Sequence, residues 1–269
     1  MNKKRILITG AGSGFGEGTA LGLATQGHEV IATVQISPQV FPLRAKAEKL
    51  GLTNLRVDKL DILDKFDVGA ALEWDFDVLF SNAAYGEGGP VSEMPMELVR
   101  SNYETNAFAP LDLAQKVLRK WVTSGQPGKI VFMTSVLGVI SVPGFGCYGS
   151  TKHAMQAIAE AMAQEVQPFN IKIQTINPGA YATGYNETMA ETAFKWMDDT
   201  KNFTKRSDMQ AAFQKIFAME RDPEEVIEQL IKIVPSDVGE FKNIIPQFQE
   251  KAVDESRASY RSRINLDLI

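Results

Sequence analysis

Six short apolar runs, each followed by a longer stretch of helical periodicity, leave this chain few folds to adopt. The runs fall at residues 5–9, 29–34, 54–58, 77–80, 129–134 and 171–176. Helical stretches lie between them, notably at 96–121 and 147–167, and the first one follows a glycine-rich turn and ends near residue 26. Repeated β-then-α with strands too short and too apolar to alternate predicts a parallel sheet buried under helices on both faces. The fixed hand of β-α-β crossovers then makes it an α/β, Rossmann-like, doubly wound sheet. The 269 residues suffice for one such domain spanning 1–269.

After Thr183 the rhythm breaks. Residues 184–220 are rich in Met, Phe and Lys and hold no clean strand. An excursion above the carboxyl edge of a parallel sheet is expected to be a substrate lid, the alternative being a surface insertion with its own small core. The tail, 250–269, mixes Arg257, Arg261 and Arg263 with acids and few apolar residues, the pattern of a solvated helix or a loose end.

Composition excludes several function classes. With 44% hydrophobic and 23% charged residues the chain is globular rather than disordered. A formal net charge of -5 with no dense Lys/Arg run argues against nucleic acid as a partner. One cysteine, Cys147, and two histidines cannot build a zinc cage, so no metal is expected. No apolar run reaches the ~18 residues of a membrane span. The run Ile6-Leu7-Ile8 stops at Thr9-Gly10, too short for a secretory h-region. The expectation is a soluble, cytoplasmic protein acting on a small molecule.

Two constellations carry chemistry. The turn Thr9-Gly10-Ala11-Gly12-Ser13-Gly14-Phe15-Gly16 lies between a strand and a helix. Glycines there let backbone N–H groups approach a pyrophosphate, and the helix N-terminus adds partial positive charge. The alternative is a tight turn without a ligand. The second constellation is Tyr148 and Lys152, one helical turn apart on one face. An ammonium beside a phenol favours the phenolate, so Lys152 is expected to lower the pKa of Tyr148 and make it a proton donor and acceptor. Ser135 stands just after the fifth strand, where its hydroxyl can hold a substrate oxygen. Asn106 sits among Ala107, Phe108 and Ala109, and Asn82 ends the fourth strand, placed to bond across to a neighbouring strand.

Together these motifs resemble the short-chain dehydrogenase/reductase family over roughly residues 5–183. Thr9, Gly10, Gly14 and Gly16 match its glycine motif. Asn82-Ala83-Ala84 matches its Asn-Ala-Gly, with Ala at the last place. Asn106, Ser135, Tyr148 and Lys152 match its active-site set in order and spacing. The resemblance implies an oxidoreductase passing a hydride between NAD or NADP and a carbonyl/alcohol pair. Tyr148 is then the acid/base, Ser135 orients the substrate oxygen, Lys152 bonds the nicotinamide ribose, and Asn106 holds a water in a proton relay. It also implies cofactor contacts from Gly10, Ser13, Gly14, Phe15, Gly16, Asp61, Ile62, Asn82, Ala83, Tyr148, Lys152, Pro178, Gly179 and Thr183. Family members are often dimers or tetramers, so a homo-oligomer is expected.

The end of the second strand, Thr33-Val34-Gln35, has neither the acid that binds NAD ribose hydroxyls nor a base for a 2′-phosphate. Gln35 can bond either cofactor. The missing base tilts the choice toward NAD. Residues expected to face substrate are Tyr85, Val136, Leu137, Phe145, Tyr181 and Tyr185, with Trp196 and Phe203 in the lid. The first of these include no cation, which points to a neutral, apolar or aromatic ketone or alcohol. The rival readings are a catalytically silent cofactor-sensing binding protein on the same fold, and an isomerase or dehydratase that produces no net cofactor change.

Overall fold

The computed structural model describes residues 3–260, except for the side chains of 259 and 260. Strand β1 (Arg5–Ile8) leads through the glycine turn into helix α1 (Gly14–Thr25). Strand β2 (Glu29–Val34), helix α2 (Val40–Lys49), strand β3 (Leu55–Lys59) and helix α3 (Lys65–Leu72) follow. Strand β4 (Val78–Ser81) precedes helices α4 (Met96–Tyr103) and α5 (Ala109–Ser124), which end in strand β5 (Gly128–Met133). Helix α6 (Gly146–Glu165) connects to strand β6 (Ile171–Pro178). Beyond it come α7 (Tyr185–Trp196), α8 (Arg206–Phe217), α9 (Glu224–Ile233), β7 (Lys242–Ile245) and α10 (Gln249–Tyr260).

The strands form one sheet in the order β3-β2-β1-β4-β5-β6-β7, and every adjacent pair is parallel. All carboxyl ends therefore lie along one edge. The order reverses between β1 and β4, and the crevice above that reversal is where open α/β sheets take ligands. The period-two alternation of strands splits the apolar residues between two cores. Ile6, Ile8, Val78, Phe80 and Val131 pack under α1, α2 and α9. Leu7, Leu79, Ile130 and Phe132 pack under α3, α5 and α6.

The six expected strands stand within two residues of their predicted bounds. Residues 242–245, with nothing in their composition to single them out, add a seventh strand by pairing with β6. The helix predicted at 96–121 is interrupted by a π turn, Glu104–Phe108. The widened turn lets Asn106, a polar residue in an apolar stretch, point inward and stay bonded. The segment 184–220 is two helices whose core (Met189, Ala190, Ala193, Met197, Met209, Phe213) also contains Phe145 and Tyr148. The segment therefore has a small core of its own, and that core covers Tyr148. The tail begins as α10, while Arg261 and Arg263 lie outside the described residues. Among the described residues no helix is long and apolar enough to cross a membrane, and no group of three metal-ligating side chains is gathered.

Candidate active site

The crevice floor is the glycine turn. Gly10 and Gly14 have φ of 68° and 55°, backbone that disfavours any side chain. A Cβ on Gly16 would overlap the Gly10 carbonyl and lie 2.6 Å from Asn82 Nδ2, and one on Gly10 would lie 2.7 Å from Ala83 Cα. The turn is thus pressed against the end of β4. Thr9 Oγ1 accepts from the backbone N–H of Asn82 and of Ala83, each at 3.0 Å. Asn82 Nδ2 donates back to the carbonyls of Thr9 and Gly10, each at 3.0 Å. Asn82 and Ala83 hold the shape of the turn. Ser13 leaves the N-terminus of α1 without a side-chain cap, so its first N–H groups are available to an anion. Thr183 faces Gly14 across the groove, its Cβ 3.6 Å from where a Gly14 Cβ would stand. An open helix N-terminus and a glycine turn with no room for a Cβ at Gly10 or Gly16 fit a dinucleotide pyrophosphate.

At the end of β2, Val34 is buried and Gln35 exposed. The side chain of Gln39, which the sequence reading overlooked, lies 3.5 Å from a Cβ position on Gly12 and accepts from Ile36 N–H at 3.2 Å. No charged residue occurs from 34 to 39. Arg44 is turned away and donates to the Val57 carbonyl at 3.1 Å. Asp61 Oδ1 accepts from Leu63 N–H at 3.0 Å, and the Ile62 side chain is in the core, leaving its backbone for a ligand. The Phe15 ring also faces the core, edge-on to Tyr181 at 5.8 Å.

Over the ends of β5 and β6 stand Ser135, Tyr148 and Lys152, all at least nine-tenths buried. Ser135 caps a short 3₁₀ turn, its Oγ accepting from Leu137 N–H at 3.1 Å and donating to the Pro178 carbonyl at 3.4 Å. Asn177 steadies that backbone, donating from Nδ2 to the Ser135 carbonyl at 3.0 Å and to Gln156 at 3.1 Å. Lys152 Nζ donates to the Met133 carbonyl at 2.9 Å and lies 5.5 Å from the centre of the Tyr148 ring. Burial pulls Lys152 down to about 8. Burial also pushes Tyr148 up to about 12, against the opposing pull of the Tyr185 and Ser135 hydroxyls. The lowered phenol expected from the Tyr-Lys spacing is corrected here. The helices after β6 cover the ring, and desolvation of the phenolate outweighs the pull of those two hydroxyls.

Asn106 uses its whole amide: Oδ1 accepts from Tyr85 N–H at 3.0 Å, and Nδ2 donates to the Tyr85 carbonyl at 2.6 Å. It also reaches Asn102 and Thr151, each at 3.3 Å. The structure thus has Asn106 pin the loop that carries Tyr85. Pro178-Gly179 ends β6 as expected, but the space above Gly179 is taken by Gln249 of α10, whose Oε1 lies 2.6 Å from a Cβ position there. Two expected substrate residues face elsewhere. Tyr181 is buried and donates to Glu225 at 3.1 Å, and Phe145 is buried edge-on to Phe213 at 5.3 Å. Both went to packing because an aromatic just past a strand end can turn either way. Trp196 packs on Gly89 and donates to the Gly88 carbonyl at 3.2 Å, and Phe203 is exposed. Leu137, Val136, Tyr85 and Tyr185 are half-buried around Tyr148 or on the loops beside it.

A clasp that the sequence did not suggest holds the lid. Glu93 accepts from Asn202 Nδ2, Phe203 N–H and Thr204 N–H at 2.8–3.1 Å. Thr192 of α7 accepts from Gly88 N–H at 2.8 Å. Cys147 is buried, its thiol pushed up to about 11 by that burial, and it serves as a packing residue.

A family model described as short chain dehydrogenase matches residues 4–193. The 3-ketodihydrosphingosine reductase of Bacteroides thetaiotaomicron is 34% identical over 193 residues, covering 70% of this chain and 67% of that protein. Retinol dehydrogenase 8 of Bos taurus is 28% identical over 246 residues, 87% of this chain and 78% of that one. A solved short chain dehydrogenase/reductase from Burkholderia phymatum in complex with NAD has the same fold, with a TM-score of 0.78 at 19% identity over 100% of this chain and 98% of that one.

Proposed function

This chain belongs to the short-chain dehydrogenase family, and on that premise we propose that it is an oxidoreductase passing a hydride between NAD or NADP and a neutral ketone or secondary alcohol with an apolar or aromatic body. The observation that carries this reading is the convergence of Ser135, Tyr148 and Lys152 at the carboxyl edge of β5 and β6, beside the glycine turn.

The cofactor would be held by the turn from Gly10 to Gly16, by Thr183 opposite, and by Lys152 and Tyr148 at its reactive end. When bound, its nicotinamide supplies or takes the hydride. The chain's own residues do the rest. The Ser135 hydroxyl orients the substrate oxygen. Tyr148, protonated at neutral pH, donates its proton to that oxygen as the carbonyl is reduced and takes it back in the reverse direction. Lys152, mostly charged at pH 7, stabilises the phenolate left behind. Asn106 is a positioning residue that fixes the Tyr85 loop. The lid helices exclude water and so strengthen each of these interactions.

An apolar substrate is supported by Leu137, Met189 and Tyr185, which share one apolar cluster with Tyr148. The relatives named as a ketodihydrosphingosine reductase and a retinol dehydrogenase fit a ketone/alcohol pair of this kind. The end of β2, with Gln35 and Gln39 and with Arg44 tied to Val57, favours NAD over NADP. Phe108, half-exposed beside Tyr103, supports association of copies through the α4–α5 face, which light scattering tests.

Thermal melting with saturating NADH and, separately, NADPH tests the cofactor assignment. A ligand at 100 times its dissociation constant adds ~2.7 kcal/mol. NADH is expected to give the larger shift, followed by loss of NADH absorbance with apolar ketones. No shift with either cofactor would overturn the reading.

A further inference from the structure

The Tyr185 hydroxyl is buried and has no hydrogen-bond partner. Tyr185 opens α7, directly after Gly184, which takes a φ of 78° and turns the chain into the lid. Its ring centre lies 5.7 Å from that of Tyr148, tilted by 57°. The Tyr185 hydroxyl is close enough to pull on the Tyr148 phenol, yet it completes no hydrogen bond in this structure. The neighbouring polar groups are engaged. Ser135 bonds Leu137 and Pro178, Asn106 bonds Tyr85, Lys152 bonds Met133, and Thr151 donates to the Tyr148 carbonyl at 2.7 Å. A buried hydroxyl without a partner is a standing penalty that a bound acceptor relieves.

The reacting carbonyl does not supply that acceptor, and the Tyr148 oxygen becomes a strong one only after its proton has gone to the substrate. A carbonyl oxygen has two lone pairs, and Ser135 and Tyr148 take both. The Tyr185 O–H therefore needs a second acceptor near the first. We propose that the substrate carries it: an oxygen on the carbon next to the reacting carbonyl or one carbon further, as in an α-hydroxy ketone or a β-keto ester. Tyr185 is then a specificity-determining residue that reads this second oxygen. The inference rests on the assignment of Ser135 and Tyr148 as the carbonyl-oxygen donors.

The test compares an aliphatic methyl ketone, its α-hydroxy analogue and the matching β-keto ester, with wild type and Tyr185→Phe. Phenylalanine keeps the ring that packs the lid, and melting with NADH checks that the variant folds and binds cofactor. Sites built to bond a substrate oxygen reject analogues that lack it. Wild type is expected to prefer at least one oxygenated ketone by roughly 10–100-fold in kcat/KM, and Tyr185→Phe to bring that ratio near one. A ratio unchanged by the substitution overturns the inference. An equal fall on all three ketones with a displaced pH–rate profile also overturns it, because the hydroxyl then acts on Tyr148. Turnover of all three by wild type without preference overturns this inference alone. Cofactor binding with no turnover of any ketone overturns the reading beneath it as well.

Discussion

Thr9→Val isolates the hydrogen bonds that join the two halves of the sheet at the cofactor turn. Thr9 is 1% exposed, and its hydroxyl oxygen is the acceptor for the backbone N–H groups of Asn82 and Ala83 at 3.0 Å. Valine replaces the hydroxyl by a methyl group of nearly the same shape, so packing is kept while both amides lose their partner. Each such loss costs ~1–3 kcal/mol, and two partly buried amides together cost about 2–5 kcal/mol. Thr9→Ser is the control: it keeps the oxygen and removes one methyl, worth about 0.8 kcal/mol. Urea unfolding followed by circular dichroism reads the difference as a lower midpoint at unchanged m. The valine variant is expected to lose at least twice the stability that the serine variant loses, and to bind NADH more weakly because Gly10 is no longer held. Equal midpoints for the two variants would refute the argument that these two bonds fix the turn.

Three further outcomes follow from the site. Lys152 sits at about 8 in the folded protein, below its unfolded value near 10.4. The unfolded chain therefore binds more protons between those values, and wild-type stability rises with pH across that window. Lys129, buried and also held at about 8, contributes the same way, so Lys152→Met should flatten the rise without abolishing it, as pH-dependent melting will read. The same variant should lose ~100-fold or more in kcat, measured by NADH consumption. Glu93→Ala removes the acceptor for three donors on the α7–α8 connection. It is expected to speed amide exchange at Phe203 and Thr204 and to raise KM roughly 3–10-fold through a looser lid, which exchange measurements and steady-state kinetics check. Cys147→Ala should leave turnover within about twofold, and wild type should resist thiol alkylation, since the thiol is buried and held up at about 11.

Local patterns carried the sheet. Runs such as Ile6-Leu7-Ile8 are apolar at every position because both faces are covered, and Ile6 and Ile8 do enter one core while Leu7 enters the other. The residues of the active-site set were legible because Tyr148 and Lys152 share one helix and Ser135 ends a strand. What their side chains do was less legible. The pKa of Tyr148 is governed by a lid that comes from residues far along the chain, and no local spacing encodes that burial. Asn106 was visible as a misfit in an apolar helix, but the π turn that accommodates it depends on Tyr85, 21 residues earlier. Tyr181 and Phe145 look like substrate aromatics by position and become core because Glu225 and Phe213, both from the region beyond β6, claim them. β7 forms because β6 offers a free edge, and its own composition gives no sign of it.

Replacing Tyr148 by Phe tests the central claim most directly. The ring stays and the proton is lost, so NADH-dependent ketone turnover should fall by 10²-fold or more while the thermal shift with NADH is retained. Turnover close to wild type in a variant that still binds cofactor would contradict the account.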